Sequence, residues 1–315
     1  MKPTVFIDGR EGTTGLQIYD RLSGRADISL ITIPDELRKD TASRKECINA
    51  ADIVFLCLPD AAAKESVSLI ENEKTRVIDA STAHRTAPFW AYGLPELSVL
   101  HRADIWSSPR VSNPGCHATG FLALIYPLIE ANILPKEAIV TCHSLTGYSG
   151  GGKSHIAQYE DPKRPNSLQA PRIYGLGLTH KHLPEMMQVS KLKNAPMFTP
   201  VEGDYYAGMA VSVLLHQSQL TQALSSENLR DVLAAHYEKE HFITVNAFGD
   251  ENGLETPGFV EANALVGTNQ MELLVHGNGE QSLLIARFDN LGKGASGAAI
   301  QNMNIMLGFD EHLGL

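Results

Sequence analysis

The stretch TVFIDGREGTTG, residues 4–15, decides the fold. Its apolar, β-branched opening reads as a buried strand, and its glycines fall where that strand meets the helical pattern LQIYDRLS of residues 16–23. Glycines after a first strand let the backbone approach a dinucleotide pyrophosphate, and the helix N-terminus that follows offers it free N–H groups. Gly9, Gly12, Thr13, Thr14 and Gly15 are therefore the candidate cofactor contacts. The spacing is GxxGxxG rather than the commoner GxGxxG, so a plain glycine-rich turn into a helix is the competing reading.

Moving outward, ISLITI (28–33), ADIVFLCLP (51–59) and TRVIDAS (75–81) read as three further strands, with a helical pattern at AAAKESVSLIE (61–71). Strands alternating with helices argue for βαβ units and a parallel sheet, and continuous apolar runs suit strands covered on both faces. After the second strand, an acidic residue would bind the ribose of NAD and basic residues the phosphate of NADP. Asp35 and Glu36 stand there ahead of Arg38, Lys39, Arg44 and Lys45, so these residues leave both cofactors open.

Beyond Cys116, GFLALIYPLIEANI is apolar nearly all round and reads as a buried helix. Then AIVTCHSLT (138–146), MAVSVLLHQ (209–217), HFITVNAF (241–248), NALVGTNQMELLVHG (263–277) and SLLIARFDN (282–290) read as longer strands. Several alternate with period two, as in a mixed or antiparallel sheet with one open face. The tail GASGAAIQNMNIMLGF (294–309) returns to helix. The expected fold is α/β: a Rossmann-type parallel-sheet domain over residues 1–116, then an α+β domain over 117–289, with 290–315 packing back on the first.

The chain's 315 residues suit two domains at the usual ~100–200 residues each. With 43% hydrophobic and 20% charged residues it has ample material for a core, which excludes wholesale disorder. Asp and Glu outnumber Lys and Arg by 36 to 26, for a net charge of −10, which argues against nucleic acid or an anionic membrane as partner. The longest apolar run, FLALIYPLI at 121–129, is about half of a membrane span, and the N-terminus lacks a signal-peptide core, so a cytoplasmic protein is expected. Cys47, Cys57, Cys116 and Cys142 form no CxxC pair and no disulfide framework.

Three segments carry candidate chemistry. In SNPGCHATG (112–120), Cys116 sits where a Pro-Gly turn ends and a helix begins, and a helix N-terminus favours a thiolate and hence a nucleophile. The competing reading is an inert core cysteine. In HKHLPE (180–185), His180, His182 and Glu185 fit a metal site, an acid/base imidazole held by a carboxylate, or a polar surface turn. GYSGGGKS (147–154) matches the P-loop pattern GxxxxGK[ST] and raises a nucleotide hydrolase, although Pro162 soon interrupts the segment that follows. A loop that wraps an anionic substrate, with Lys153 as its cation, is the other use of those glycines.

Taken together and in order, GxxGxxG after the first strand, YGLPEL (92–97), SNPGC, SLTGYSGGGK, HKHLPE and DNLGKGASGAAIQNMN (289–304) resemble the N-acetyl-γ-glutamyl-phosphate reductases in their shorter form, wider relatives of the aspartate-semialdehyde dehydrogenases. The resemblance covers essentially the whole chain. It implies reduction of an acyl phosphate by NADPH, with inorganic phosphate released and no metal. It implies Cys116 as nucleophile and His180 as the acid/base histidine, with His182 and Glu185 contacting or orienting substrate. Arg85 and Lys153 become candidates for substrate charges, Asn290 for the nicotinamide, and a homo-oligomer, dimer or tetramer, is expected. The chain departs from the family at STAHR (81–85), where acidic and aromatic positions are altered, and at Arg10 and Glu11 in the glycine-rich turn. Aspartate-semialdehyde dehydrogenase is the nearest alternative activity.

Overall fold

Val5 to Asp8 are buried along β1 (Thr4–Asp8), as a run without polar alternation requires. The computed structural model describes residues 2–315 and separates them into two units. One comprises the chain up to Gly115 together with Ala295–Leu315, the other Cys116–Gly294.

In the first unit β1 is followed by α1 (Thr13–Ser23), β2 (Ser29–Ile31), α2 (Thr41–Ala50), β3 (Ile53–Leu56), α3 (Asp60–Ser68) and β4 (Arg76–Asp79). Then come β5 (Ala91–Tyr92), α4 (Val99–Ser107) and β6 (Arg110–Ser112). The strands form one sheet in the order β2-β1-β3-β4-β6-β5, and every pairing is parallel. Strand order reverses at β1 and β3, so the glycine-rich turn leaves the sheet at its topological switch point, where open α/β sheets bind ligands. Asp40 caps α2 by accepting from the Ser43 amide.

Both sheet faces are covered. On one, Val5, Ile7, Ile53 and Phe55 pack with Ile18 and Leu22 of α1 and with Ala299, Ile300, Met303 and Met306 of the C-terminal helix Gly297–Leu307. On the other, Phe6, Val54, Leu56 and Val77 meet Ile48 and Ala63. A buried ion pair ties the strand to the helices: Arg44 of α2 donates to Asp8 at 3.1 Å, and Ser66 of α3 donates to the same carboxylate at 2.7 Å.

The second unit opens with α5 (Cys116–Glu130), buried without a break from His117 to Ile129. It continues through β7 (Thr141–Gly147), α6 (Lys153–Glu160), β8 (Arg172–Ile173), α7 (Leu183–Ser190), β9 (Met197–Gly203), β10 (Met209–His216), α8 (Ser226–Tyr237), β11 (Ile243–Val245), β12 (Met271–Gly277) and β13 (Gln281–Phe288). The sheet is mixed, in the order β11-β12-β13-β10-β7-β9-β8. Its centre is the antiparallel β10–β13 pair, in register from Met209↔Phe288 to His216↔Gln281. Burial alternates along β7 and β10, leaving Leu145 and Leu214 exposed on the open face.

Two expected strands shrink. HFITVNAF keeps only β11, and NALVGTNQMELLVHG keeps only β12. Residues 263–270 turn instead, with Val266 N–H donating to the Asn263 carbonyl, Thr268 to Leu265, and Gly267 at φ +85°. A left-handed glycine ends the alternation that made the longer segment look extended.

The Asp8–Arg44 pair generates a prediction. Arg44→Met leaves a buried carboxylate without its counter-ion and should cost about 3–5 kcal/mol. An Asp8→Asn/Arg44→Met double variant should recover part of that loss, and urea unfolding of the three proteins checks the coupling.

Candidate active site

The glycine-rich turn borders a cavity of about 390 Å³ lined by Gly9, Arg10, Glu11, Tyr19, Arg38 and Lys39 among others. Gly9 has φ +89°, and a Cβ there would collide with the Cys57 carbonyl. A Cβ on Gly15 would lie 2.5 Å from the Gly9 oxygen, so α1 starts this close to the turn only with glycine at 15. Gly12 differs: a Cβ there would meet nothing nearer than 3.5 Å. Its missing side chain serves no protein neighbour and clears the start of α1. Thr13, the first residue of α1, has a buried hydroxyl with no hydrogen-bond partner among the described residues, and Thr14 follows it. An uncovered helix N-terminus with a waiting hydroxyl fits the pyrophosphate of a dinucleotide.

The structure also sorts the basic residues after β2. Arg44 lines the cavity but is engaged with Asp8, and Lys45 pairs with Glu71 at 2.6 Å. Arg38 and Lys39 line the cavity alongside Asp35.

In the second unit, Cys116 is the first residue of α5 and is partly exposed. All four cysteines are free thiols, but burial pushes Cys57 and Cys142 far up, and Cys47 is raised for the same reason. Chemistry at a thiolate is closed to those three. Gly294 packs against Cys116 so closely that a Cβ there would lie 2.9 Å from the cysteine Cβ.

The residue after the cysteine was not singled out by its sequence pattern. His117 is 3% exposed and spends both ring nitrogens on hydroxyls, Nδ1 with Ser144 and Nε2 with Tyr174, each at 2.7 Å. Burial first, then the charges of His180 and Lys181, push it down to about 3, so it stays neutral. Burial, with charge on Cys116 and Glu202 behind it, pushes Tyr174 up, so the phenol stays protonated.

His180 and His182 both pack on His117, with ring centroids 5.4 Å away in each case and 4.8 Å from each other. The His182 main-chain N–H donates to His180 Nδ1 at 3.2 Å, so neutral His180 carries its proton on Nε2. His182 is buried and its Nε2 lies 4.0 Å from Glu185, whose carboxylate is 1% exposed in the first turn of α7. Pro184 stands in that same turn, where its missing N–H costs nothing. Among the described residues, no three His, Cys, Asp or Glu side chains are arranged to hold a metal ion.

The loop after β7 is not a phosphate cradle of the P-loop kind. Four of its amides are already used: Gly147 donates to the Gly208 carbonyl, Tyr148 to Tyr205, Ser149 to Tyr206 and Gly152 to Ser149. Its strand sits between β9 and β10 in the mixed sheet, and its helix is two turns long. The P-loop alternative fails on both counts. Lys153 is exposed at the first position of α6. Glu202 of β9 holds that helix, accepting from Tyr159 at 3.1 Å and Arg172 at 2.7 Å and pairing with His155 at 2.8 Å.

Two candidates are engaged within their own units. The Asn290 carboxamide accepts from the Gly208 amide at 2.7 Å and donates to Ser149 at 3.1 Å, bracing the same loop from below. Arg85 donates to the carbonyls of Asn113 at 3.1 Å and Ala80 at 3.2 Å, so part of its guanidinium ties STAHR to the SNPG segment.

His117 gives a pH prediction. Its folded-state value lies below its ordinary 6.5, so the unfolded chain binds the extra proton and stability falls as pH drops below 6.5. The slope from this one group approaches about 1.4 kcal/mol per pH unit. Urea unfolding from pH 7 to 4 should show that slope in the wild type and a shallower one in His117→Gln.

Comparison with known proteins gives a consistent answer. The semialdehyde dehydrogenase NAD-binding domain family matches residues 6–105, and the semialdehyde dehydrogenase dimerisation domain family matches residues 116–290. N-acetyl-gamma-glutamyl-phosphate reductase 2 of Nostoc sp. is 47% identical over 320 residues, covering 100% of this chain and 99% of that protein. The N-acetyl-gamma-glutamyl-phosphate reductase of Burkholderia lata is 48% identical over 98% of this chain and 97% of its own. Among solved structures, aspartate semialdehyde dehydrogenase from Francisella tularensis superposes with a TM-score of 0.73 at 14% identity, over 97% of this chain and 100% of that one, a likeness of fold. Shared across whole chains at nearly half of all positions, these matches show that the protein belongs to the N-acetyl-gamma-glutamyl-phosphate reductase family of the semialdehyde dehydrogenases.

Proposed function

We propose that the protein reduces N-acetyl-L-glutamyl 5-phosphate to N-acetyl-L-glutamate 5-semialdehyde with NADPH, releasing inorganic phosphate, a step of arginine biosynthesis. Its place among reductases of that name supports the substrate. The observation that carries the mechanism is the partly exposed Cys116 at the start of a buried helix, its neighbour His117 packed against His180. The aspartate-semialdehyde alternative has only a likeness of fold behind it.

The amides that open α5 favour negative charge on Cys116 sulfur. The thiolate attacks the acyl carbon, the C–O bond to phosphate breaks, and phosphate departs, taking up a proton from solvent and leaving a thioester on Cys116. Gly9, Gly12, Thr13, Thr14 and Gly15 would hold NADP(H), which when bound supplies hydride to reduce the thioester. Collapse of the resulting alkoxide releases aldehyde and returns Cys116 as thiolate. His180 serves the oxygen: its Nε2 proton, set by the bond from His182 N–H, donates to the oxyanion that develops in each half. Tyr174 stays protonated as the hydroxyl partner of His117. Lys153 at the head of α6 attracts the substrate's negative groups, with His182, Glu185 and Arg85 shaping the rest of the substrate site.

The exposed apolar face of β7 and β10 is the natural surface for a second copy, in a protein we assign as a cytoplasmic homo-oligomer, a dimer at minimum. A charge in the middle of that face should break it. Leu214→Glu should lower the mass measured by size-exclusion light scattering, while the circular dichroism of the chain is kept.

Cys116→Ser should abolish phosphate-dependent oxidation of the semialdehyde while NADPH binding stays within about twofold. His180→Asn should lower kcat by roughly 10²–10⁴-fold with little change in KM. Wild-type turnover in Cys116→Ser, or faster reduction of aspartyl phosphate than of the acetyl-glutamyl one, would overturn the assignment.

A further inference from the structure

Arg10 is a large cation in a turn whose neighbours at 9 and 12 are glycines. The turn itself asks for nothing of that size. The side chain is nevertheless well placed: its guanidinium lies 4.7 Å from the ring centroid of Tyr19 on α1, and its main chain lies two residues past the end of β1. It is therefore held from two sides beside the cavity that both residues line.

Its carboxylate neighbours do not use its donors. Glu11 stands 3.6 Å away and Asp35 3.8 Å away, distances of an ion pair without a hydrogen bond. Arg38 is in the same condition, 3.9 Å from Glu11. Lys39 has no ion-pair partner among the described residues, and Arg44 is committed to Asp8. The cavity mouth thus carries three cations, Arg10, Arg38 and Lys39, against Glu11 and Asp35. Arg38 and Lys39 extend from an exposed turn that follows residues 35–37, whereas the Arg10 guanidinium stacks on Tyr19. A planar guanidinium held in advance loses little freedom on binding and matches phosphate oxygens two at a time.

We infer that Arg10 selects the phosphorylated form of the cofactor, donating to the 2′-phosphate of NADP(H) from within the glycine-rich turn, with Arg38 and Lys39 as its outer partners. Glu11, between the two arginines, keeps both cations at the mouth until the dianion replaces it. This inference rests on the NADP(H) reading above.

Binding to the full-length protein without substrate tests it, read from the fluorescence of bound NADPH and NADH. Competition by adenosine 2′,5′-bisphosphate and by adenosine 5′-monophosphate isolates the phosphate. Arg10→Gln should weaken NADPH and the bisphosphate by about 10- to 100-fold and change NADH and the monophosphate by less than about threefold. Arg10→Lys should restore part of the loss, and the loss should shrink as salt rises. Parallel weakening of both cofactors would make Arg10 a prop for the turn and overturn the inference. So would an undiminished preference for NADPH in Arg10→Gln. A wild type that binds NADH as tightly as NADPH would instead remove the cofactor reading itself.

Discussion

A helix buried on every side must still present its first turn to something. In α5, all thirteen residues from 117 to 129 are buried, and the chain begins that helix on Cys116. The free amides of its first turn and the positive end of the helix dipole thereby meet a partly exposed thiol. A thiol gains from that setting, because the helix N-terminus favours the negative charge of its thiolate. Around this constraint the rest of the second unit is arranged. Gly294 gives up its side chain to sit against the cysteine, and His117 fills the space below with both ring nitrogens satisfied. The sheet behind them, centred on β10 and β13, supplies the floor.

How much of this was legible depended on the kind of signal. β1, β3 and β4 are runs rich in Val, Ile and Phe between clear turns, and they stand within three residues of the bounds expected for them. β9 carries no clear strand signal because Pro200 and Glu202 interrupt its sequence. Pro200 nevertheless sits in the ladder opposite Ser144, and Glu202 is buried against Tyr159, Arg172 and His155. Strands of two and three residues, such as β5, β8 and β6, have no periodicity to detect. In the site, Cys116 and the HxHxxE run announced themselves by composition and by their turns. His117 did not, since nothing local to an apolar helix says that residues more than sixty positions on will close over it.

Two glycine-rich loops in this chain look alike and behave in opposite ways. The turn at 9–15 leaves the head of α1 uncovered, with Thr13 unsatisfied inside it. The loop at 147–152 turns its amides inward to the carbonyls of Tyr205, Tyr206 and Gly208. Glycine content alone does not distinguish them. The difference lies in whether other backbone passes alongside, and that is a property of the sheet, not of the loop. It explains why a P-loop pattern occurs here without a nucleotide site.

The C-terminal helix Gly297–Leu307 supplies Ala299, Ile300, Met303 and Met306 to the core around β1 and β3. The first unit therefore lacks part of one wall until this helix has been made. During synthesis that face of the sheet has α1 but not the helix Gly297–Leu307 against it while the intervening 179 residues, Cys116–Gly294, are being made. The intervening unit carries all of its own strands and can close earlier. Loss of that helix would spare the residues around the thiol while leaving the dinucleotide fold unfinished.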